Sequence, residues 1–577
     1  MPDLKITLHK FPEVDREKIS RIMGYPCLGI DIETTGLDPY KDSVVMIQIA
    51  NDQNDEVDVF DLRHGGAQFL FDMLNEYPGV IYFHNAAFDL RFLYSRHRSL
   101  LYCNLFDTYL AELVIAGGRN FGFGLDDVVE RRLGIKMDKS IRDEFILPMF
   151  NIMSVSDVQA RYAALDAWVL PRIGKMQSAD LKASGQEKIA SLEFNVVKSV
   201  VKAMLRGFLL DVDAWNQIYV EAQTTAETKR KELEFIVNIP FFNPNSEASV
   251  IKAMNKLGLE VPEVKGKKTT REEFISKIKH PFVTTLLEYR AASKAASTYG
   301  KEFLNNIHPL TGRIHTDYRQ IGADTGRFSS SKPNLQNIPK DSKFRRCFIA
   351  PHGYSLISAD FSSQEIMVMA EVSRDKNLLK VFELGLDRHT AAAADIFKVP
   401  YDQVTPEQRR QAKVLNFALA YGSSAQNIAN KLNLAPAHAE KLVNDYWATY
   451  KDLYNWQRRA GLQAWIQKYS TTLLGRRRYY DDQYEKHQVL RMGANHVIQG
   501  TSADMTKQAI INVEKAFRDS PNVCMINFIH DEIVTEVPDD VAEECAATIR
   551  RCMEDAGAEF VKVTKQKSDV KIAKYWA

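Results

Sequence analysis

The chain has 577 residues, of which 45% are hydrophobic and 26% are charged, and these proportions indicate a globular protein of several domains. The formal net charge of +1 shows no overall basic excess, so any binding of nucleic acid would depend on local basic patches. The 6 cysteines form no CxxC pair, and no apolar run reaches about 18 residues, so we expect no structural zinc, no disulfide framework and no membrane association.

The first elements predicted along the chain are strands. Residues 27–60 contain three short apolar runs separated by turn signals, CLGIDIE, SVVMIQIA and EVDVFDL, which predict a small mixed sheet. The segment GVIYFHN adds a strand at 79–85, and helical periodicity follows from about 86 to 175. We therefore expect an α/β unit over residues 1–180.

The next region, residues 185–305, is predicted to be mainly helical. Two segments, LEFNVVKSVVKAMLRGFLLD and PFVTTLLEYRAASKAASTYGKEFL, have the periodicity of long amphipathic helices. The stretch between them, FNPNSEASVIKAMNKLGLEVPEVKGKKTTREE, is predicted to be rich in loops. It carries a basic cluster that is either a solvated face or a phosphate contact: Lys265, Lys267, Lys268 and Arg271.

From residue 312 the predicted structure is mixed again. TGRFSSSKPNLQNIP is polar and contains two prolines, so it is predicted to be a loop, and YSLISADF is predicted to be a strand. Residues 375–470 are predicted to be mainly helical. VCMINFIHDEIVTEV predicts two strands joined at His530, Asp531 and Glu532.

A first group of acidic residues lies in the N-terminal unit. Asp31 and Glu33 are two apart on a predicted strand, so their carboxylates point the same way. Asp89 and Asp166 follow, with Tyr162 one helical turn before Asp166. Such hard oxygen ligands suit Mg²⁺ or Mn²⁺, and two ions of this kind promote phosphodiester hydrolysis. An isolated pair of acids on a strand, by contrast, is usually structural.

A second acidic group lies in the C-terminal half. Asp360 ends an apolar strand, and Asp531 and Glu532 lie at a predicted hairpin turn. Adjacent strand residues point to opposite faces, so Asp531 and Glu532 can serve one site only if the turn re-aims one of them. For this reason we expect Asp360 and Asp531, rather than Glu532, to be the metal ligands.

A predicted helix between these acids carries two cations followed by two aromatic residues at a spacing of four: Arg409, Lys413, Phe417 and Tyr421. This face suits a triphosphate followed by a base, because the cations can bind phosphate oxygens and the rings can stack. The alternative is a surface helix whose charged end is solvated and whose aromatic end lies in a core.

Eight segments together resemble known families. DIETTGLD, HNAAFDL and YAALD resemble, in order, the three motifs of the DEDDy 3′→5′ exonucleases. TGRFSSSKPNLQNIP, SADFSSQEI, RRQAKVLNFALAYG, NHVIQGTSAD and FIHDEIV resemble the motifs of family A DNA polymerases, the bacterial polymerase I type. The resemblance implies an RNase H-like exonuclease domain over residues 1–180 and a right-hand polymerase domain over 181–577, an α/β and α+β architecture. It further implies a thumb at about 190–310, a palm at about 311–375 and 465–577, and fingers at about 376–464.

The resemblance also assigns expected roles to the acidic residues. In the exonuclease domain it implies metal ligands at Asp31, Glu33, Asp89 and Asp166, with Tyr162 positioning a water. In the polymerase domain it implies that Asp360 and Asp531 hold two Mg²⁺ or Mn²⁺ ions, with Glu532 close by. Two ions are expected at each site.

Residues outside the acidic groups receive expected roles in the same way. Six are expected to bind or select the incoming nucleotide: Arg409, Lys413, His389, Phe417, Tyr421 and Glu365, the last blocking a ribose 2′-OH. Seven are expected to contact the primer–template: Arg327, Asn334, Gln336, Arg491, Asn495, Gln499 and His530.

Two departures from the family pattern carry further expectations. Phe361 stands where the family usually has Tyr, which removes a hydroxyl that could bond Glu365, so ribose exclusion is expected to be looser. Phe417 is Phe rather than Tyr, a choice that the family associates with discrimination against dideoxynucleotides.

The function implied is a template-directed DNA polymerase that extends a primer with dNTPs and proofreads it, acting in DNA replication. The alternatives are an exonuclease alone, similar to RNase D, and a single-subunit RNA polymerase, against which Glu365 argues. The short stretch before Asp31 and the short stretch from Gly207 to Phe242 favour a phage replicative enzyme. A monomer in the cytoplasm of a bacterial cell or phage-infected host is expected, with a single-strand-binding protein or helicase as a candidate partner.

Overall fold

The computed structural model describes residues 3–10, 16–63, 65, 68–137, 155–264, 266–340 and 343–577. Within these ranges no helix is both long enough and apolar enough to span a membrane. The elements fall into an N-terminal α/β unit, a helical arm, a four-stranded antiparallel sheet and a helical subdomain inserted between its strands.

The N-terminal unit is built on a six-stranded mixed sheet in the order β1-β4-β3-β2-β5-β6. The three strands predicted over residues 27–60 and the strand predicted at 79–85 are confirmed, whereas β1 and β6 were not predicted. The strands and helices of this unit are β1 (Lys5–Lys10), α1 (Arg16–Met23), β2 (Cys27–Thr34), β3 (Val44–Ala50), β4 (Glu56–Asp61), α2 (Gln68–Asn75), β5 (Val80–Phe83), α3 (Ala86–His97), β6 (Asn104–Asp107), α4 (Thr108–Ala116), α5 (Leu125–Leu133) and α6 (Asp157–Ser184).

Helix α6 crosses one face of this sheet at very short distance. A Cβ added at Gly29 of β2 would lie 2.4 Å from the carbonyl oxygen of Ala167, so only glycine permits this approach. Apolar side chains of α6 fill one core on this face, while α2 and α3 cover the opposite face. The close approach brings residues just beyond Gly29 next to the middle of α6.

The helical arm follows. The first predicted amphipathic helix ends at Arg206, and the FLL that follows it is a short strand instead. The stretch predicted to be rich in loops contains a helix, because Val250, Ala253 and Met254 contribute to a separate apolar core. The elements are α7 (Glu187–Arg206), β7 (Phe208–Leu210), α8 (Val212–Val237), α9 (Glu247–Lys256), β8 (Glu263–Val264), β9 (Lys267–Lys268), α10 (Glu272–Ile275) and α11 (Pro281–Thr298).

The basic cluster predicted in this arm is only partly described. Lys265 lies outside the described residues, Lys267 and Lys268 form β9 and are exposed, and Arg271 is exposed at the start of α10. Whether the cluster contacts phosphate stays a prediction.

The strand predicted over YSLISADF is confirmed, and the predicted loop before it contains one short strand. The helices predicted over residues 375–470 are confirmed and enclose a core of their own. The elements from residue 313 to 467 are β10 (Arg313–Ile314), β11 (Asp317–Arg319), β12 (Ser329–Ser331), β13 (Phe348–Ile349), β14 (Tyr354–Phe361), α12 (Gln364–Ser373), α13 (Lys376–Glu383), α14 (Arg388–Phe397), α15 (Pro406–Ala420), α16 (Ala425–Leu432), α17 (Pro436–Thr449) and α18 (Lys451–Gln467).

The chain then returns to the antiparallel sheet, whose order is β17-β18-β14-β19. Its inner face packs on α7, α19 and α20 through residues such as Ile357, Ile510 and Ile549. The elements are β15 (Tyr469–Thr471), β16 (Arg477–Tyr479), α19 (Lys486–Ala516), β17 (Cys524–Ile529), β18 (Glu532–Pro538), α20 (Ala542–Phe560) and β19 (Ser568–Ala573). Short 3-10 helices span Lys301–Asn306, Leu335–Asn337, Arg345–Cys347, Tyr401–Gln403 and Asp539–Val541.

Two candidate carboxylate active sites

The N-terminal acids converge where α6 meets β2. Asp31 and Glu33 of β2 and Asp166 of α6 each offer a carboxylate oxygen, and these oxygens lie within 4.8 Å of one another. The close approach at Gly29 explains this convergence, because it brings Asp166 beside the strand. Carboxylate oxygens at such distances fit a divalent cation, which would offset their mutual repulsion.

Asp89 reaches the same place from α3 and is buried. Burial and the neighbouring Asp31 raise its pKa well above the ordinary value. Two acids that oppose each other's ionisation are a further sign of a cation site. Asp31, Glu33, Asp89, Tyr162 and Asp166 all line one cavity of about 750 Å³.

Asp107 is a residue of this site that the sequence did not reveal. Its buried carboxylate accepts hydrogen bonds from the backbone N–H groups of Asn85 and Ala86 at 3.0 and 2.8 Å, where α3 begins. It also caps α4, and burial raises its pKa to about 6. Asp107 therefore fixes the helix that carries Asp89, a role visible only once β6 is known to lie beside β5.

The cavity is closed on one side by the C-terminal half of the chain. Strand β11 contributes Asp317 and Arg319 to its lining, and Arg91 of α3 pairs with Asp317 at 3.1 Å. Tyr318 of β11 also donates a hydrogen bond to Asn527 of β17, the strand that precedes His530, so β11 contacts the elements that carry both acidic groups.

The C-terminal acids meet at one end of the antiparallel sheet. Asp360 of β14 lies directly opposite Glu532 of β18. His530 adopts a left-handed conformation, φ +54°, and the N–H of Phe361 bonds the carbonyl oxygen of Asp531 at 3.4 Å. The turn thus places Asp531 beside Asp360, as the sequence required for a shared site. Burial and Asp360 together raise the pKa of Asp531 to about 7.

Glu532 is engaged by other protein groups. It accepts hydrogen bonds from Arg345, from the indole of Trp576 at 2.9 Å and from the hydroxyl of Ser358. Arg345 and Glu532 are both buried, and the guanidinium stacks 4.0 Å from the centre of the Trp576 ring. Glu532 thereby ties β18 to the C-terminal residues of the chain.

Asp360 also has a cationic neighbour, since the Lys340 ammonium lies 2.9 Å from its Oδ2. The sequence did not single out Lys340, Arg345 or Trp576. None of them belongs to a spacing pattern, so their roles depend on contacts that only the fold creates.

The predicted cation and aromatic face lies on α15. Arg409 forms two hydrogen bonds of 3.0 Å with Asp387, Lys413 is exposed, and Phe417 is 40% exposed against the ring of His389. The alternative that places the aromatic end in a core is therefore wrong for Phe417. Burial lowers the pKa of His389 to about 4, so its imidazole is neutral at pH 7.

Glu365, in the first turn of α12, lies between Arg327 and Tyr421. It accepts hydrogen bonds from the hydroxyl of Tyr421 and from Arg327. Phe361 instead packs into the core beneath the sheet, 3% exposed. Tyr421 therefore supplies a hydroxyl to Glu365 in this chain, and looser ribose exclusion stays a prediction.

Comparisons with known proteins agree with this geometry. A family model described as DNA polymerase family A matches residues 212–577, and one described as 3′-5′ exonuclease matches residues 14–178. The chain belongs to DNA polymerase family A. The expected exonuclease domain followed by a polymerase domain is thereby confirmed.

Relatives of this family A chain include the DNA polymerase I of Pseudomonas aeruginosa, 34% identical over 416 residues, which are 68% of this chain and 45% of that one. The DNA polymerase I of a Synechocystis species is 29% identical over 584 residues, 91% of this chain and 57% of that one. The chain spans about half the length of the curated relatives it matches.

A solved structure resembles nearly the whole family A chain. It is the POL domain of Pol1 from M. smegmatis in complex with DNA primer-template and dNTP, with 25% identity and a TM-score of 0.85. The match covers 99% of each chain.

The residues predicted to contact DNA lie on α19 and in the loop that contains Asn334 and Gln336, among other places. Arg491, Asn495 and Gln499 follow one face of α19 at a spacing of four. Asn334 and Gln336 also hold their own loop: Asn334 accepts the backbone N–H of Gln336 at 3.0 Å, and the Gln336 amide donates to the carbonyl oxygen of Phe528 at 3.0 Å. Their contact with DNA stays a prediction.

Proposed function

We propose that this chain is a template-directed DNA polymerase that extends a primer 3′ end with dNTPs and removes mispaired ends with its 3′→5′ exonuclease. The observation that carries the proposal is the presence of two separate carboxylate sites in a family A chain. The similar Pol1 structure, which contains primer-template and dNTP, supports a shared substrate class.

In the polymerase site, Asp360 and Asp531 would hold the divalent cations, Mg²⁺ or Mn²⁺. Cations bound there would lower the pKa of the primer 3′-OH and neutralise charge on the leaving pyrophosphate. Cations bound at the N-terminal acids would activate a water for hydrolysis of the phosphodiester. Lys413 and Arg409 would bind the triphosphate, and Phe417 would stack on the nucleotide.

Glu365 would exclude a ribose 2′-OH, because hydrogen bonds from Arg327 and Tyr421 fix the position of its carboxylate. Neutral His389 would donate a hydrogen bond to the nucleotide rather than a charge. His530 and the minor-groove residues on α19 would position the primer–template: Arg491, Asn495 and Gln499.

In the exonuclease site, Asp31, Glu33, Asp89 and Asp166 would hold two cations. Tyr162, one helical turn before Asp166 on α6, would orient the attacking water. A mispaired primer end frays easily, and the cavity that β11 shares with the N-terminal unit would receive it as a single strand.

The remaining assignments belong to the same proposal. The helical arm would act as thumb, the antiparallel sheet as palm and α13–α18 as fingers. The enzyme would work as a monomer in the cytoplasm of a bacterial cell or a phage-infected host. A phage replication system, with a single-strand-binding protein or helicase as partner, is the setting we favour.

The test is a primer–template assay with Mg²⁺, run with and without dNTPs on matched and mismatched 3′ ends. We expect extension with dNTPs and, without them, shortening that is faster at the mismatch. Shortening without any extension would favour the alternative, a 3′→5′ exonuclease only.

A further inference from the structure

A second large cavity, about 480 Å³, lies at the edge of the N-terminal sheet, and we call it the β6 groove. Residues 104–106 of β6, with Tyr102 and Cys103 before them, form one wall, and the C-terminal half of α6 and the first half of α7 form the other. It shares no lining residue with the cavity that holds the N-terminal acids. The β6 groove is therefore a separate feature that the proposed chemistry does not use.

One wall of the groove is an open sheet edge. Strand β6 is the last strand of the sheet, and in the described part of the chain it pairs with β5 alone. The backbone groups on its outer side therefore lack a strand partner, and Asn104 at its start is exposed. An open edge of this kind can accept an added strand from another protein.

One end of the groove carries an excess of positive charge. Lys198 is half-buried there and forms no ion pair or hydrogen bond with the described residues. Lys198, Lys202 and Arg518 lie 5.8, 5.4 and 4.2 Å from the centre of the Tyr102 ring. Glu514 is the carboxylate at this end, and it already pairs with Lys202 at 2.6 Å.

The opposite end of the groove carries a negative charge and not a positive one. Glu187 lines it, while Leu105 and Phe194 form an apolar floor between the two ends. A nucleic-acid strand carries phosphates along its whole length and would meet Glu187. An extended peptide with apolar residues in the middle and acids at one end matches the floor and the cations together.

We propose that the β6 groove binds an extended acidic segment of a partner protein, which adds as a strand to β6 and places its carboxylates on Lys198 and Arg518. This surface is independent of both carboxylate sites, so the proposal does not rest on the proposed function. It identifies a surface where a replication partner would bind the enzyme without covering either carboxylate site.

The probe is a fluorescein-labelled decapeptide whose first six residues alternate threonine and valine and whose last four are aspartate. Its binding to the full chain is followed by fluorescence anisotropy at low salt. We expect Lys198→Glu to weaken binding at least about tenfold and Arg518→Glu about fivefold, because each variant replaces attraction by repulsion. Lys188→Glu, on the exposed side of the same helix, should change the affinity less than about twofold.

One control tests the contribution of charge, and a second tests strand addition. The matched peptide with asparagine in place of aspartate should bind at least about tenfold more weakly. Hydrogen exchange of the β6 amides that face away from β5 should slow when the acidic peptide binds. Lys198→Glu should retain primer extension and thermal stability, which shows that the variant is folded.

Three results would overturn the proposal. They are no binding of the acidic peptide, binding that Lys198→Glu leaves unchanged, and unchanged exchange at the β6 amides. A ten-nucleotide oligo-dT that displaces the peptide and shows the same response to Lys198→Glu would reassign the groove to nucleic acid.

Discussion

The two carboxylate sites of this chain use the same side chains in different surroundings. The N-terminal acids come from a strand and two helices that converge, and their oxygens lie close to one another. The C-terminal acids come from neighbouring strands, and the protein supplies cations to them: Lys340 at Asp360 and Arg345 at Glu532. A count of acids in the sequence is therefore not a count of metal ligands.

The difference has a physical origin. Acids that converge oppose each other's ionisation, as the raised pKa of Asp89 shows, and a bound cation relieves that repulsion. Acids on adjacent strands, by contrast, lie close to the side chains of the neighbouring strands. A guanidinium from a neighbouring segment can then pair with one of them, as Arg345 does with Glu532.

The largest expected effect tests whether the two sites act separately. Asp360→Ala should reduce primer extension by at least about 10³-fold, because the cations lose a ligand, and should leave 3′ shortening intact. The double variant Asp31→Ala with Glu33→Ala should do the reverse. Both are measured in the primer–template assay.

The matched control for this experiment is Asp519→Asn, an exposed aspartate that belongs to neither acidic group, which should change neither activity. Loss of both activities in either active-site variant would show that the sites depend on each other through β11.

The second effect concerns the buried pair of Arg345 and Glu532. Arg345→Met should lower the free energy of unfolding by about 3 kcal/mol, because it leaves a buried carboxylate without its cation. Urea unfolding in the presence of EDTA measures this change.

The control is the double variant Arg345→Met with Glu532→Gln, which removes both charges and should recover at least half of the loss. An unchanged unfolding midpoint in Arg345→Met would mean that Glu532 is not held by this pair and remains free to act as a ligand.

The third effect is a pH dependence at Asp531. Because the folded protein raises the pKa of this carboxyl to about 7, the folded state binds the proton more tightly than the unfolded chain does. The resulting destabilisation is absent below about pH 4 and grows as the pH rises towards 7. Without metal, Asp531→Asn should therefore be more stable than wild type at pH 8 and equal to it at pH 4.

Urea unfolding across this pH range, with EDTA present, provides the measurement. Saturating Mg²⁺ is the control, since bound cations should reverse the order and make wild type the more stable protein. A stability difference that does not vary with pH would contradict the interpretation.

The smallest effect concerns Lys340. Its ammonium lies at the oxygen that a cation would take, so Lys340→Met should tighten Mn²⁺ binding at the C-terminal site about fivefold. Electron paramagnetic resonance of free Mn²⁺ measures this affinity in a chain that also carries Asp31→Ala and Glu33→Ala.

Lys343→Met is the control, because Lys343 lies three residues away and pairs with Glu221 instead. Equal Mn²⁺ affinities in wild type and Lys340→Met would show that this contact does not compete with the cation.

Much of this protein follows from local sequence. Apolar runs bounded by turns predicted β2, β3, β4, β5 and β14, and a spacing of four predicted that α15 carries Arg409, Lys413 and Phe417 on one face. A spacing of two predicted that Asp31 and Glu33 point together, and the ordered motifs led to the family. These signals work because strand and helix periods are properties of the backbone within a few residues.

Tertiary structure decided the rest. Strand β1 exists because residues 5–10 pair with β4 about fifty positions later, and Asp107 supports α3 only because β6 lies beside β5. The turn at His530 brought Asp531 to Asp360, and Arg345 reached Glu532 across 187 positions of sequence. Burial, pKa and ion pairing depend on which distant segments pack together. No local period encodes that packing, so the sequence identified the acids but not the cations that decide what each acid does.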